Sequence, residues 1–353
     1  LGYAENSSPN IEWQKSFGGS RDAAHSIQIT PDGGYIIAGH SFSNDGDVKV
    51  NHGKADVWIV KLDSQGSIQW QKSLGSSDND VAFSIQITPD GGYIIAGYSS
   101  SNDGDVKGNH GERDAWIVKL DSQGSIQWQK LLGGSDVDVA NSIQITSDGG
   151  YIIAGESYSN DGDVKGNHGK ADVWIVKLDS QGTIQWQKSL GGSEWDEANS
   201  IQITPDGGYI IAGHSKSDDG DVKGNHGNGD AWIVKLDSQG TIQWQKSLGG
   251  SEPDEANSIQ ITSDGGYIIA CESFSNDGDV TGNHKRGGVW IVKLDSQGSI
   301  QWQKSLGRSN YEANSIQITS DGGYIIAGSN ESKAGDVTGN HGKIDLWIVK
   351  LQG

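Results

Sequence analysis

The sequence predicts an all-β fold, a six-bladed β-propeller with four antiparallel strands in each blade. The main observation is a repeat, because the phrase SIQIT recurs at Ser26, Ser84, Ser142, Ser200, Ser258 and Ser315. The step is 58 residues and shortens by one in the last copy. The second observation is composition: glycine reaches 53 residues, and no stretch shows helical apolar periodicity. Repeats of this length built from short strands bury their apolar faces only against neighbouring repeats.

The first half of each repeat reads as two strands, A and B. Residues 26–30 alternate polar and apolar side chains, which is typical of a strand with one buried face. Residues 31–34 form a tight turn whose glycines permit positive φ. Residues 35–39 follow as an unbroken apolar run, which is typical of a strand covered on both faces.

The second half begins with a long polar loop over residues 40–56 and continues with strands C and D, at 58–62 and 68–72. Twelve of the 13 tryptophans occupy fixed places in these two strands, where large aromatic rings fill the space between blades. Trp195 is the exception, since it lies in a loop. The expected blades are residues 25–73, 83–131, 141–189, 199–247, 257–305 and 314–351.

The two ends of the chain predict how the ring closes. Residues 11–16 have the pattern of a strand D without A, B or C before it, and residues 346–351 have that of a strand C without a D after it. We therefore expect residues 11–16 to close the ring as the outer strand of the last blade. Closure of this kind leaves only short, protected sheet edges, and makes residues 1–353 one domain.

Composition excludes some functions. The net charge of −20 disfavours nucleic acid and anionic membrane surfaces, because both need a basic face. No apolar run is long enough for membrane insertion, and the single cysteine, Cys271, precludes an intrachain disulfide. The chain begins at Leu1 and lacks methionine, so we expect a mature extracellular or cell-surface form without its targeting segment, and a monomer.

Two sequence motifs resemble those of known protein families. Residues 32–39, DGGYIIAG, followed by WIVKLDxxGxIxW, resemble the repeat of secreted or surface-exposed bacterial and archaeal β-propeller proteins. Residues 62–70 are similar to the tryptophan-docking motif of quinoprotein propellers, in which the tryptophan locks adjacent blades. The resemblance implies this docking role, without the redox chemistry of the eight-bladed quinoproteins, for Trp70, Trp128, Trp186, Trp244 and Trp302.

The B–C and D–A loops carry nearly all the variation between repeats and emerge on one face, where we expect function. The B–C loops contain NDGDVxxNHG, and their clustered oxygens suit calcium, although no EF-hand spacing is present. The predicted ligands are Asp45, Asp47, Asp103, Asp105, Asp161, Asp163, Asp219, Asp221, Asp277 and Asp279. The alternative is a loop stapled by its own Asx turns, with the histidine as a structural strut.

Ligand contacts are predicted around the mouth of the central channel. The D–A loops supply Asp22, Asp80, Asp138, Asp196 and Asp254, with Glu197, Glu255 and Glu312 beside some of them. These carboxylates could attract a cation or accept hydrogen bonds from sugar hydroxyls. The alternative is that they only cap strand A and its turn. The position after strand B varies most and, with the loop residue Trp195, predicts shallow binding pockets at His40, Tyr98, Glu156, His214 and Glu272.

These observations predict a non-enzymatic recognition module that binds a glycan or a surface protein through the B–C/D–A face, with Ca²⁺ as its candidate cofactor. The alternative is a structural or adhesive propeller of a larger surface assembly. A glycosidase-type enzyme is the minor alternative. Its best arginine cluster is Arg21, Arg286 and Arg308, but no nucleophile pair or Asp-box accompanies them, and no catalytic residue is assigned.

Overall fold

The structure is a computed structural model that describes residues 13–283, 287–306, 311–330 and 345–352. All regular elements within these ranges are β-strands, and none of these residues belongs to a helix that could span a bilayer. Twenty-three strands form six antiparallel sheets, which confirms the predicted six-bladed propeller.

The first three blades each contain four strands in the order A, B, C and D. Blade one contains β1 (Asp22–Ile29), β2 (Tyr35–Ser41), β3 (Asp56–Leu62) and β4 (Ile68–Leu74). Blade two contains β5 (Asp80–Ile87), β6 (Tyr93–Ser99), β7 (Asp114–Leu120) and β8 (Ile126–Leu132). Blade three contains β9 (Asp138–Ile145), β10 (Tyr151–Ser157), β11 (Asp172–Leu178) and β12 (Ile184–Leu190).

The next two blades repeat this order, and the last has three strands among the described residues. Blade four contains β13 (Asp196–Ile203), β14 (Tyr209–Ser215), β15 (Asp230–Leu236) and β16 (Ile242–Leu248). Blade five contains β17 (Asp254–Ile261), β18 (Tyr267–Ser273), β19 (Gly288–Leu294) and β20 (Ile300–Leu306). Blade six contains β21 (Tyr311–Ile318), β22 (Tyr324–Asn330) and β23 (Asp345–Leu351).

Strand A is longer than the sequence predicts. In blade one it begins at Asp22, which pairs with Ser41, and the register shifts at a bulge between Ala24 and Ser26. A bulge adds one residue to one strand and breaks the alternation of side chains, although backbone pairing continues on both sides. The alternating pattern that marked residues 26–30 is therefore only the second half of the strand.

The core lies between blades. Ile36 and Ile59 of blade one and Ile85 of blade two are fully buried in one cluster, together with Trp116. Trp70 of strand D packs beside this cluster, as its docking role implies. Because each blade covers the next, removal of one interface exposes apolar surface on two sheets.

At the seam between blades six and one, the described strands of the two blades hardly contact each other, unlike those at the other interfaces. Ile27 of blade one is 58% exposed and Ile348 of blade six is 57% exposed, whereas their counterparts Ile85 and Ile291 are fully buried. An apolar cavity of about 280 Å³ over blade one is lined partly by Ile27 and Trp13.

The predicted closing strand differs from the structure over the residues that can be compared. Residues 11–12 lie outside the described residues, and residues 13–16 are not in a strand. Trp13 nevertheless lies against blade one, with its ring centroid 5.5 Å from that of Tyr35. Over these residues, attachment to blade one occurs by side-chain docking, because no partner strand pairs with the described part of the segment.

Candidate functional site

The B–C and D–A loops lie on one face and are tied together by hydrogen bonds. The Ser20 N–H donates to Asp45 Oδ1 over 3.1 Å, and the Arg21 N–H donates to Ser43 Oγ over 2.9 Å. The Asp47 N–H donates to the Gly18 carbonyl over 3.0 Å. In blades one to five, the B–C loop is thus bound to the D–A loop that precedes its own blade, which gives this part of the variable face a rigid frame.

The first aspartate of each predicted calcium pair forms these ties. Asp161 Oδ1 accepts from the Ser135 N–H at 2.7 Å, and Asp219 and Asp277 accept from the equivalent N–H groups at 2.7 and 2.8 Å. Among the described residues, no three His, Cys, Asp or Glu side chains form a ready-made metal-binding group. Calcium binding by these loops therefore stays a prediction.

The predicted aspartates of the D–A loops are mostly buried, so they are not open to a glycan at the surface of the protein. Asp80 is fully buried; its Oδ1 accepts from the Ser99 hydroxyl and its Oδ2 accepts from the Ser76 N–H and the Ser101 hydroxyl, at 2.8 and 2.9 Å. Burial outweighs these hydrogen bonds and raises the pKa of Asp80 to about 6. The same placement holds for Asp138, Asp196 and Asp254, whereas Asp22 is partly exposed. This geometry favours capping over contact with sugar hydroxyls.

The variable positions after strand B meet at the inner edge of the ring, where the A strands of neighbouring blades contact one another. On blades one and two these residues are aromatic. His25 Nε2 lies 3.0 Å from His40 Nδ1, and the His25 ring lies 5.2 Å from that of Phe83. Phe83 in turn lies 5.8 Å from Tyr98. The structure therefore brings His40 and Tyr98 onto one continuous aromatic wall.

On blades three to five the same inner edge is acidic. Burial and the Glu255 and Glu156 carboxyls raise the pKa of Glu197 to about 8. Burial, Glu312 and Glu255 raise the pKa of Glu272 to about 7. Carboxyl groups from four blades thus act on one another across the channel mouth. His214, paired with Glu197 in the sheet, is buried, and this burial together with Lys216 lowers its pKa to about 4.

Trp195 is exposed, as predicted for a loop tryptophan. Trp195 is 40% exposed, and the ammonium groups of two lysines lie over its ring. Lys170 Nζ lies 3.8 Å and Lys216 Nζ lies 5.2 Å from the ring centroid. These cation–π contacts fix the ring between blades three and four.

A second kind of site lies at the outer edge, between a B–C loop and strand D. We call these depressions the lateral grooves. In blade four the groove has a volume of about 520 Å³ and is lined in part by Lys223, His226, Gln245, Lys246 and Asp279. Blade three has one of about 450 Å³, which includes Lys165 and Gln187. Blade one has one of about 200 Å³, lined by Lys49, Val50, His52, Gln71, Lys72 and Ser73.

The lateral groove of blade four has rigid walls. Gln245 accepts from the Trp232 indole N–H at 2.7 Å and donates to the Lys223 carbonyl at 3.1 Å, which ties strand D to the loop. His226 Nδ1 lies 2.5 Å from Asp230 Oδ2. The His226 side chain is 39% exposed, and its Nε2 lies 4.0 Å from Asp279 Oδ2 in the groove lining.

Two lysines of the blade-four groove have no ion-pair partner among the described residues. Lys223 and Lys246 make no ion pair with any described residue, whereas the strand-C lysine Lys235 is held by Asp206 at 2.8 Å. Burial acts to lower the pKa of His226, but the carboxylates of Asp230, Asp279 and Asp254 outweigh it. The pKa of His226 is therefore raised above its ordinary value. The grooves of blades one and four thus have two lysines each, with Asp279 also in the second, whereas the groove of blade three has Lys165 beside Asp163.

Sequence reasoning missed the lateral grooves, because it assigned the N-H-G histidines to a structural role. A signal was present: a lysine stands three residues before the histidine of blades one to four, and a Gln-Lys pair recurs in strand D. Nothing in the pattern showed that the loop folds back against strand D, which places these side chains together.

No family model matches the chain. The regulatory protein FlaEY of Caulobacter vibrioides is 27% identical over an alignment of 203 positions, and the match covers 52% of this chain and 21% of FlaEY. The chain therefore spans about a fifth of the length of that curated relative.

Solved propeller structures resemble the chain only distantly. Sqt1 from Chaetomium thermophilum is 13% identical with a TM-score of 0.48, and the likeness covers 88% of this chain and 80% of that one. The Pan2 WD40 domain of Neurospora crassa is 11% identical with a TM-score of 0.48, over 86% and 75%. A gluconolactonase from Xanthomonas campestris is 8% identical with a TM-score of 0.44, over 96% and 98%. At this level the likenesses carry no functional argument.

Proposed function

We propose that this protein is a non-enzymatic recognition module that binds acidic glycan chains at the cell exterior through its lateral grooves. The supporting observation is recurrence: the same groove forms beside the B–C loop in blades one, three and four. Similar sites on a rigid ring allow a repeating ligand to engage several of them, and each added contact then increases the overall affinity.

The chemistry of the groove favours an anionic, hydroxyl-rich ligand. Lys223 and Lys246 supply cationic donors, and His226 supplies a ring edge that can donate or accept. Volumes of about 450 and 520 Å³ lie in the usual range for small-ligand pockets. Because the rest of the chain is strongly negative, an acidic chain is repelled elsewhere and makes its contacts in the lysine-lined grooves.

The resemblance among the grooves also supports binding over catalysis. A catalytic centre needs converging groups of distinct roles, whereas these grooves repeat the same lysine, histidine and glutamine. Arg21 is one of the three arginines considered for a glycosidase site. Its guanidinium carbon lies 4.4 Å from the centroid of the Phe42 ring. Arg286 and Arg308 lie outside the described residues.

The test is a glycan array of oligouronides, sulfated oligosaccharides and uncharged glucans, run at low and at raised salt. We expect binding to the acidic chains that weakens as salt screens the lysines. The double variant Lys223→Ala/Lys246→Ala removes the cations of one groove and lowers the affinity several-fold, without abolishing it, because other grooves remain. Lys54→Ala/Lys170→Ala is the matched control, since it also removes two lysines, both outside the grooves.

Two results would overturn this proposal. Equal binding of charged and uncharged glycans would remove the role of the lysines. Absence of binding to every glycan at low salt would reject glycan recognition and favour the structural or adhesive alternative.

A further inference from the structure

Pairs of buried aspartates lie where adjacent blades meet. Asp114 opens strand C of blade two, and its side chain is fully buried. Its Oδ2 accepts from the His110 N–H and lies 2.6 Å from His110 Nδ1, but its Oδ1 has no hydrogen-bond partner. The same oxygen is without a partner in Asp56, Asp172 and Asp230. An unsatisfied carboxylate oxygen in a buried position is costly, so four equivalent cases need an explanation.

Each of these oxygens faces the first aspartate of the next blade across a glycine. A Cβ atom on Gly133 would lie 2.4 Å from Asp138 Oδ2 and 3.1 Å from Asp114 Oδ1. A Cβ atom on Gly75 would likewise lie 2.6 Å from Asp80 Oδ2 and 3.1 Å from Asp56 Oδ1. Oxygens from two blades therefore converge on one small space that only a glycine leaves open. Gly191 and Gly249 repeat this arrangement at the next two interfaces.

A third carboxylate lies close by. Burial raises the pKa of Asp114, and the Asp163 carboxylate of blade three adds to this effect. Burial likewise raises the pKa of Asp56, and the Asp105 carboxylate adds to this effect. Like charges crowded in a buried position repel one another unless a positive charge stands between them.

One interface lacks both aspartates. In blade five, Gly288 occupies the sheet position opposite Ser273 that Asp172 occupies opposite Ser157 in blade three. In blade six, Tyr311 stands at the head of strand A where the other blades have aspartate. Both members of the pair are thus replaced together between blades five and six. Joint replacement is expected if the two carboxylates serve a single purpose.

We propose that each of the four interfaces between blades one and five binds a calcium ion between its paired aspartates, such as Asp114 and Asp138. Calcium takes six to eight oxygen ligands at about 2.3–2.6 Å, and carboxylates, hydroxyls and water all serve. The unpartnered Oδ1 becomes a ligand, the histidine on Oδ2 holds the carboxylate in place, and water completes the shell. This site joins two blades, and its paired aspartates are not among the ligands predicted in the B–C loops. It does not depend on glycan binding.

The experiment is equilibrium dialysis of the EDTA-treated full-length chain against calcium up to about 1 mM, the upper range for extracellular calcium modules. We expect at least four calcium ions per chain. The variant Asp114→Gly/Asp138→Tyr copies the interface between blades five and six, and it binds one ion fewer. Glu194→Gln, which removes an exposed carboxylate outside every predicted calcium site, is the control and leaves the number unchanged.

A second measurement needs no variant. Thermal unfolding of the wild-type chain should shift to higher temperature with calcium, and not with choline chloride of equal ionic strength, because a ligand of the native state stabilises it. Absence of calcium binding at 1 mM, or an unchanged stoichiometry in folded Asp114→Gly/Asp138→Tyr, would overturn the proposal. A melting temperature that responds to pH but not to calcium would do the same, since a proton then occupies the site.

Discussion

Trp70 of blade one meets Tyr93 of blade two edge to face, with ring centroids 5.9 Å apart and ring planes inclined by 62°. The equivalent tryptophans of the next four blades meet the next tyrosine at 5.8 to 6.0 Å. This contact places the outer strand of one blade against the second strand of the next. It accounts for the fixed positions of tryptophan in the repeat, since loss of one ring opens one interface.

Replacement of Trp128 by alanine should therefore destabilise the protein by about 2–3 kcal/mol, less than for a fully buried tryptophan because this ring is partly exposed. The measurement is urea unfolding followed by circular dichroism. Trp195→Ala, which removes an exposed loop ring, should cost clearly less. Equal losses for the two variants would show that Trp128 does not lock the blades.

The C–D turn should not tolerate any residue larger than glycine at position 124. Gly124 has a φ of 76°, and a Cβ atom there would lie 2.8 Å from Trp70. Gly124→Ala thus combines backbone strain with a clash and should cost more than about 1 kcal/mol. Gly108→Ala is the control, because Gly108 has a φ of 95° but open space around its Cβ position. If both variants unfold at the same urea concentration, the clash with the tryptophan is unimportant.

Stability should fall as the pH rises toward 8. Burial, Glu312 and Glu255 raise the pKa of Glu272 to about 7 from its usual 4.5. The native state therefore favours the protonated form, and this contribution is complete below pH 4.5 and lost as pH rises through 7. Glu272→Gln should melt at a temperature that depends less on pH between 5 and 8. An unchanged slope in this variant would contradict the shift, and Glu194→Gln, at the surface, serves as control.

The seam between blades six and one should respond to Trp13. This ring covers part of blade one and lies against Tyr35, so Trp13→Ala removes apolar cover from an interface that is already partly exposed. We expect faster amide hydrogen exchange in β1 and no change in β9, two interfaces away. Exchange that rises equally in both strands would indicate global destabilisation and not a local opening of the seam.

Much of the fold could be predicted from the repeat. The alternation of residues 26–30, the glycines of the turns and the tryptophan positions specify strands, turns and blade count. The bulge at strand A was missed because the extra residue interrupts the alternation. The pairing of residues 11–16 was inferred from pattern alone, and the described residues 13–16 show docking by Trp13 in its place.

The site was less predictable than the fold. The sequence pointed to the B–C loops, and the lateral grooves do border them, but the lysines that line each groove come from two segments. The pairing of Asp114 with Asp138 was also beyond sequence reasoning. These residues are 24 positions apart and belong to different blades, so nothing local relates them.

By itself, the sequence determined the strands, the turns and the number of blades, because alternation and positive φ depend on residues only a few positions apart. Tertiary structure alone decided which polar groups are buried, which lysines lack partners and which carboxylates face each other. Those properties depend on contacts between blades, made through space by residues far apart in the chain. Burial then sets their electrostatics, as it does for Glu197 and Asp80.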